Sequence, residues 1–194
     1  AASDVYKRQE RKWIERILAG DTQSFSCLVA KYEKMAYTIA LRILENREEA
    51  EEAVQDAFVK MYRALSDFHF DSKFSTWFYR IVYRTALTAL RQQRMFVSYE
   101  EAGPVDLSND EVESATALLE REDRKEMIAR TLKKLPADEA LLLTLYYLEE
   151  CSVEEICQIT ELSASNVKVK LFRGRKRFYE VLQDKMKLET ADLL

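Results

Sequence analysis

CSVEEICQITELSASNVKVKLFRGRKRF, residues 151–178, decides how the rest of the chain is read. Ser152 followed by Val153, Glu154 and Glu155 has the form of a capping box, in which a serine hydroxyl and a glutamate carboxylate each accept a free amide at a helix start. The short helix it opens ends in the brief turn TELS, and Ser163 is placed to cap another. Set on a helical wheel, residues 164–182 put Val167, Leu171, Gly174, Phe178, Val181 and Leu182 on one face. Ser165, Asn166, Val169, Arg173 and Lys176 lie opposite, with Lys170 and Arg177 on one flank and Phe172 on the other. From Lys168 to Arg177 there are six basic residues and no acidic one, in a chain of net charge -4. A short helix, a tight turn and a long basic helix form a helix-turn-helix, whose second helix suits the major groove. Lysine and arginine neutralise phosphates, while asparagine, serine and arginine can read base edges. The competing reading is a solvated basic face or one that binds an acidic protein.

Working outward, the 194 residues suit one large domain or two small ones. Three glycines and two prolines are too few for the many turns of a sheet protein, so the expected fold is all-α. No stretch approaches the roughly 20 apolar residues of a membrane span, so no membrane insertion is expected. Cys27, Cys151 and Cys157 read as buried structural thiols in a reducing cytoplasm, and with His69 as the single histidine no zinc constellation forms. Neither a phosphate-binding glycine loop nor a nucleophile motif occurs; no enzyme site, metal or cofactor is expected.

The N-terminal part is helical in pattern. Asp21 precedes apolar residues at Phe25, Leu28, Val29, Tyr32, Met35, Ala36, Ile39 and Ile43. Asn46 with Glu49 three positions on marks a second helix start, and this helix buries Ala50, Ala53, Val54, Ala57, Phe58, Met61 and Leu65. Its other side carries Glu48, Glu49, Glu51, Glu52, Gln55 and Asp56, which suits solubility or a basic protein partner. After SDFHFDSKFS (66–75) a long helix is expected to about Arg94, with Phe78, Ile81, Val82 and Ala89 facing the core. Arg80, Arg84, Arg91 and Arg94 form a stripe, with Trp77 near its head. Aromatic rings beside an arginine track suit single-stranded nucleic acid, whose bases stack while the cations follow the backbone. Each ring taken singly, Trp77 or Phe74, suits the core better than a stacking platform.

SYEEAGPVDLSNDEVES (98–114) reads as a linker, and residues 100–126 hold ten acids against three bases. A helix around 110–134 follows, then LPADEALLLTLYYLEE (135–150) with Pro136 in a first-turn position. The expected division is 10–96, a linker at 97–111, and 112–186.

Together these segments resemble the bacterial sigma factors of the extracytoplasmic-function group. GDTQSFSCLVAKYEKMAYTIALRIL (20–44) looks like the start of their region 2, and NREEAEEAVQDAFVKMYRAL (46–65) is similar to its polymerase-binding segment. KFSTWFYRIVYRTALTALRQQR (73–94) resembles the segment that melts the promoter and reads the minus-ten element. Residues 135–178 look like region 4, the minus-thirty-five reader. The resemblance implies two small helical domains, and a non-enzymatic subunit that binds core RNA polymerase and promoter DNA. By that resemblance Glu52, Gln55 and Asp56 would meet the polymerase clamp. Phe74, Thr76, Trp77, Arg80 and Arg84 would engage the melted minus-ten strand, with Arg91 further along the same stripe. Ser165, Asn166, Lys168, Lys170, Arg173 and Lys176 would sit in or beside the minus-thirty-five groove. Family members are commonly held inactive by an anti-sigma factor, so such a partner is implied too. Where the family often has asparagine and aspartate, this chain has Arg84 and Thr88. A conventional helix-turn-helix regulator, or an adaptor whose basic helix binds an acidic protein, remain as alternatives.

Overall fold

Short polar side chains set the helix starts. The Asp21 carboxylate accepts from the amides of Gln23 and Ser24, opening α2 (Thr22–Leu44). Asn46 accepts from the Glu49 amide at the head of α3 (Arg47–Arg63). Such caps are worth ~1 kcal/mol each. The computed structural model describes the backbone of residues 2–97 and 119–191, and the side chains of 8–93 and 125–184. Among them there are eight α-helices and no strand. The acidic stretch read as a linker lies almost wholly outside the described residues.

Before α2 comes α1 (Ala2–Leu18), to which the sequence pattern gave little weight. Ile14 and Ile17 of α1 are buried against the bundle and Trp13 packs on it. A short 3-10 turn (Leu65–Asp67) leads through a loop to α4 (Phe74–Val97). Helices α2, α3 and α4 pack on one another, and α1 lies across α2. Phe78, Val82 and Ala86 of α4 are buried there with Leu28, Ile39, Phe58 and Met61.

The C-terminal part holds α5 (Leu119–Lys133), α6 (Ala137–Leu143), α7 (Val153–Thr160) and α8 (Ala164–Ala191). Helix α6 runs into a wide π turn at Thr144–Leu148. The amide of Glu149 reaches back five residues to the Thr144 carbonyl at 3.2 Å. That extra residue per turn swings Tyr146, Tyr147 and Leu148 outward while Leu145 stays buried.

Around α7 the expected capping box is present, with Glu155 N to Ser152 Oγ at 3.1 Å and Ser152 N to Glu155 Oε2 at 2.8 Å. The helix ends at Glu161, in the left-handed region at φ 62°. Ser163 then accepts from the Asn166 amide at 3.3 Å, starting α8. Val167, Leu171 and Gly174 bury one face of α8, as its sequence pattern requires. Gly174 eases the close approach of α8 to α6: a Cβ there would lie 3.2 Å from Leu143 Cδ1 and 3.3 Å from Glu139 Cβ, so these side chains would have to give way slightly.

The two parts share one continuous core. Helix α7 packs directly on α4, and α6 reaches α2. The expectation of three buried cysteines is corrected. Only Cys151 is buried, at this junction; Cys27 is exposed on α2 and Cys157 is half-buried.

Candidate nucleic-acid interface

Two long helices carry the basic residues singled out by the sequence, and the fold treats them differently. On α8, Ser165, Asn166, Lys168, Arg173 and Lys176 are all exposed on the face opposite Val167 and Leu171. Lys170 is only half-exposed and is engaged by Asp138 of α6, so it holds the helix in place. Arg177 is likewise tied inward, donating from Nη1 to Glu139 Oε1 at 2.9 Å. Lys176 and Glu180 are 3.9 Å apart, a loose exposed pair that leaves the ammonium available. Phe172 and Tyr179 also stand in solvent on this helix.

On α4, Arg80, Arg84 and Arg91 are exposed and Trp77 is half-buried. Phe74 and Thr76 are not at the surface: they are 3% and 2% exposed. This corrects their assignment to a strand-binding face. The Phe74 ring sits among Tyr32, Phe68, Trp77 and Phe78, with centroids 5.3 to 6.2 Å away, so the head of α4 plugs the aromatic core. Trp77 lies against Phe68 at 5.0 Å.

An aromatic that is exposed lies just before α4. Phe70 has φ 62°, a left-handed conformation uncommon for a non-glycine residue. Its ring rests on Phe68 at 4.8 Å, and the Arg11 guanidinium lies 5.0 Å from its centroid. It borders a cavity of about 1220 Å³ lined by Arg8, Arg11, Lys31, Lys73, Tyr32 and Tyr79 among others. Sequence reasoning missed this site because it needs α1 and the π turn, which are far apart in the chain. Burial and the nearby Glu10 carboxylate push the Tyr32 hydroxyl well above the usual phenol range. Tyr79 is raised as well, by burial and then by Glu149, to which it donates a 2.8 Å hydrogen bond.

On α3, Glu52, Gln55 and Asp56 are exposed as expected. Asp56 pairs with Lys60 at 3.0 Å one turn on. The same face continues through Val59 and Tyr62, which are 45% and 49% exposed. Tyr62 is fixed by an edge-on contact with Phe25 at 5.2 Å. The sequence reading named neither, because it took this side of the helix for its charged residues alone. A face that mixes carboxylates with an anchored tyrosine suits a protein partner.

Comparison with known proteins agrees with this geometry. The family Sigma-70 region 2 matches residues 28–95, and Sigma-70, region 4 matches residues 125–178. The RNA polymerase sigma-H factor of Pseudomonas aeruginosa is 32% identical over 184 residues, covering 91% of this chain and 95% of its own length. The ECF RNA polymerase sigma-E factor of Escherichia coli is 31% identical over 170 residues, covering 84% and 88%. Among solved structures, the sigma factor RpoE in complex with the anti-sigma factor NepR from Bartonella quintana superposes with a TM-score of 0.67. It is 18% identical and covers 83% of this chain and 98% of that one. CnrH in complex with the cytosolic domain of CnrY gives 0.60 at 21% identity, covering 91% and 98%. These two likenesses concern the fold. The chain belongs to the RNA polymerase sigma factors of the extracytoplasmic-function group.

Proposed function

We propose that this sigma factor works by dividing three surfaces among three tasks. As a member of its family it directs core RNA polymerase to promoters and begins transcription there. Residues 10–96 form the polymerase-binding and minus-ten unit, 97–111 the linker, and 112–186 the minus-thirty-five unit. The observation that carries this division is the exposed α8 face of Ser165, Asn166, Lys168, Arg173 and Lys176, set on a helix-turn-helix.

In duplex DNA that face lies in the major groove, with Asn166 and Arg173 toward base edges and the lysines on phosphates. Arg80, Arg84 and Arg91 follow the opened strand along α4. Phe70 and Trp77 supply the ring surface that Phe74 cannot. Glu52, Gln55 and Asp56 of α3, joined by Val59 and Tyr62, dock on the polymerase. Each DNA contact is weak alone, and polymerase fixes their spacing so that two weak contacts act as one. The protein acts without catalysis of its own, in the cytoplasm with its polymerase. An anti-sigma factor is a further partner, in keeping with the complexes of the structural neighbours. A conventional duplex-binding regulator is not favoured, because it has no use for the matched region 2.

The test is run-off transcription across a genome with core polymerase plus this chain. Promoter-specific starts are expected, and none at any promoter would refute the reading. Glu52→Lys with Asp56→Lys is expected to weaken polymerase binding while leaving the helical content unchanged. Unaltered binding would remove that face from the interface.

A further inference from the structure

The outward face of α8 is polar and cationic except near its centre. At about 100° per residue, Val169 falls within about 15° of the direction opposite Val167, Leu171 and Gly174, the residues this helix buries. Within the first three turns of α8 no position faces more directly away from the protein, and the valine is 46% exposed. Ser165 and Asn166 stand one turn before it, Phe172 and Arg173 one turn after, and all four are exposed. A solvated valine adds nothing to the core, and its branched Cβ lowers helix propensity. The packing of α8 therefore does not call for valine here. A single exposed apolar residue means little on an ordinary surface. This one sits amid the groups assigned to base edges, with Phe172 beside it on the same helix.

We infer that Val169 is a specificity-determining residue that selects thymine at one base pair of the minus-thirty-five element. The inference rests on the placement of α8 in the major groove given above and adds a base preference to it. Base edges in that groove present donors and acceptors, with one apolar feature, the C5-methyl group of thymine. Valine neither donates nor accepts. Pressed against a polar edge it would strip water from that edge and offer no partner in return. Against a thymine methyl, both groups leave water and no hydrogen bond is lost. Ser165, Asn166 and Arg173 are hydrogen-bonding groups and suit the polar edges on either side. The position of the thymine follows as well. Side chains one helical turn apart are separated by roughly 5–6 Å, against about 3.4 Å per base pair. The selected thymine thus lies within about two base pairs of the one that Arg173 meets.

The test uses core polymerase with the full chain, on promoter duplexes recovered by the run-off assay. Thymines of the minus-thirty-five element, on both strands, are replaced one at a time by deoxyuridine. That base keeps every hydrogen-bonding group of thymine and lacks only the methyl. One replacement is expected to weaken binding about fourfold, the effect of burying one methyl-sized group. Val169→Ala should weaken binding to the thymine duplex by at least as much and make that replacement nearly silent. Alanine forms helix more readily than valine, so such a loss does not come from a frayed α8. Arg173→Ala marks its own base pair by relaxed discrimination there, and the sensitive thymine should lie within about two pairs of it. An element that tolerates deoxyuridine throughout, a loss that Val169→Ala leaves unchanged, or a sensitive thymine farther away overturns the inference. In each of these cases promoter-directed starts leave the sigma reading standing. If no promoter-specific start is found, the placement of α8 has failed and the inference falls with it.

Discussion

Helices α4 and α8 are both long, both basic on one side and both apolar on the other, yet they end in opposite situations. Helix α8 rests on α5, α6 and α7 by one face, and its remaining charges stand in solvent. Helix α4 is packed by α2 and α3 on one side and by α7 on another. Its basic stripe is narrowed, its leading aromatic is buried and Arg84 is engaged. The difference teaches that a helical wheel gives the face a helix buries first. It says nothing about a second neighbour arriving from elsewhere in the chain.

The sharpest way to break the comparison is at the head of α4. Phe74→Ala leaves a hole among four aromatic rings and is expected to lower stability by about 3–5 kcal/mol. Urea denaturation measures it; a variant of unaltered midpoint that has lost strand binding would restore Phe74 to the interface. The matching change on α8 should act on binding and spare the fold. Arg173→Ala with Lys176→Ala removes two exposed cations, so the log–log salt slope of duplex binding should become shallower by about 2. A parallel loss of melting temperature would show that these side chains support the helix instead.

The smallest effect concerns pH and the Glu155–Lys73 contact. Burial pushes the Glu155 carboxyl up, but Lys73 and the Ser152 amide outweigh it and hold it below its usual range. A depressed carboxyl stabilises the folded contact above its unfolded value of about 4.3 and loses that stabilisation as pH falls through the folded value. Lys73 is raised, chiefly by its bond to Glu155, so its share is present below about 10.4 and is lost as pH rises through the folded value. The contribution of this contact to the urea midpoint should therefore stay level between these limits and fall below about pH 4. Solvent screens the exposed lysine, so the change is slight. A midpoint between pH 6 and 8 would point to a group other than Glu155.

Much of the site was legible because it depends on neighbours in sequence. Asn46, Ser152 with Glu155, and Ser163 act within three residues, so reading caps from sequence located α3, α7 and α8. The α8 face followed from helical spacing alone. Val59 and Tyr62 continue the side of α3 that carries Glu52 and Asp56, but only the packed structure shows both partly exposed there, with Tyr62 held by Phe25. Phe70 and its cavity were invisible, since Arg8, Phe70 and Glu149 meet through three separate segments.

By itself the sequence determined an all-helical chain, its helix starts, the basic face of α8 and the family, because period, capping chemistry and local charge are properties of adjacent residues. Tertiary structure alone decided that Phe74 is core, that α7 lies on α4 and that Glu161 holds Arg84. Those outcomes depend on which apolar faces meet across some eighty positions of chain, and no local pattern encodes that choice.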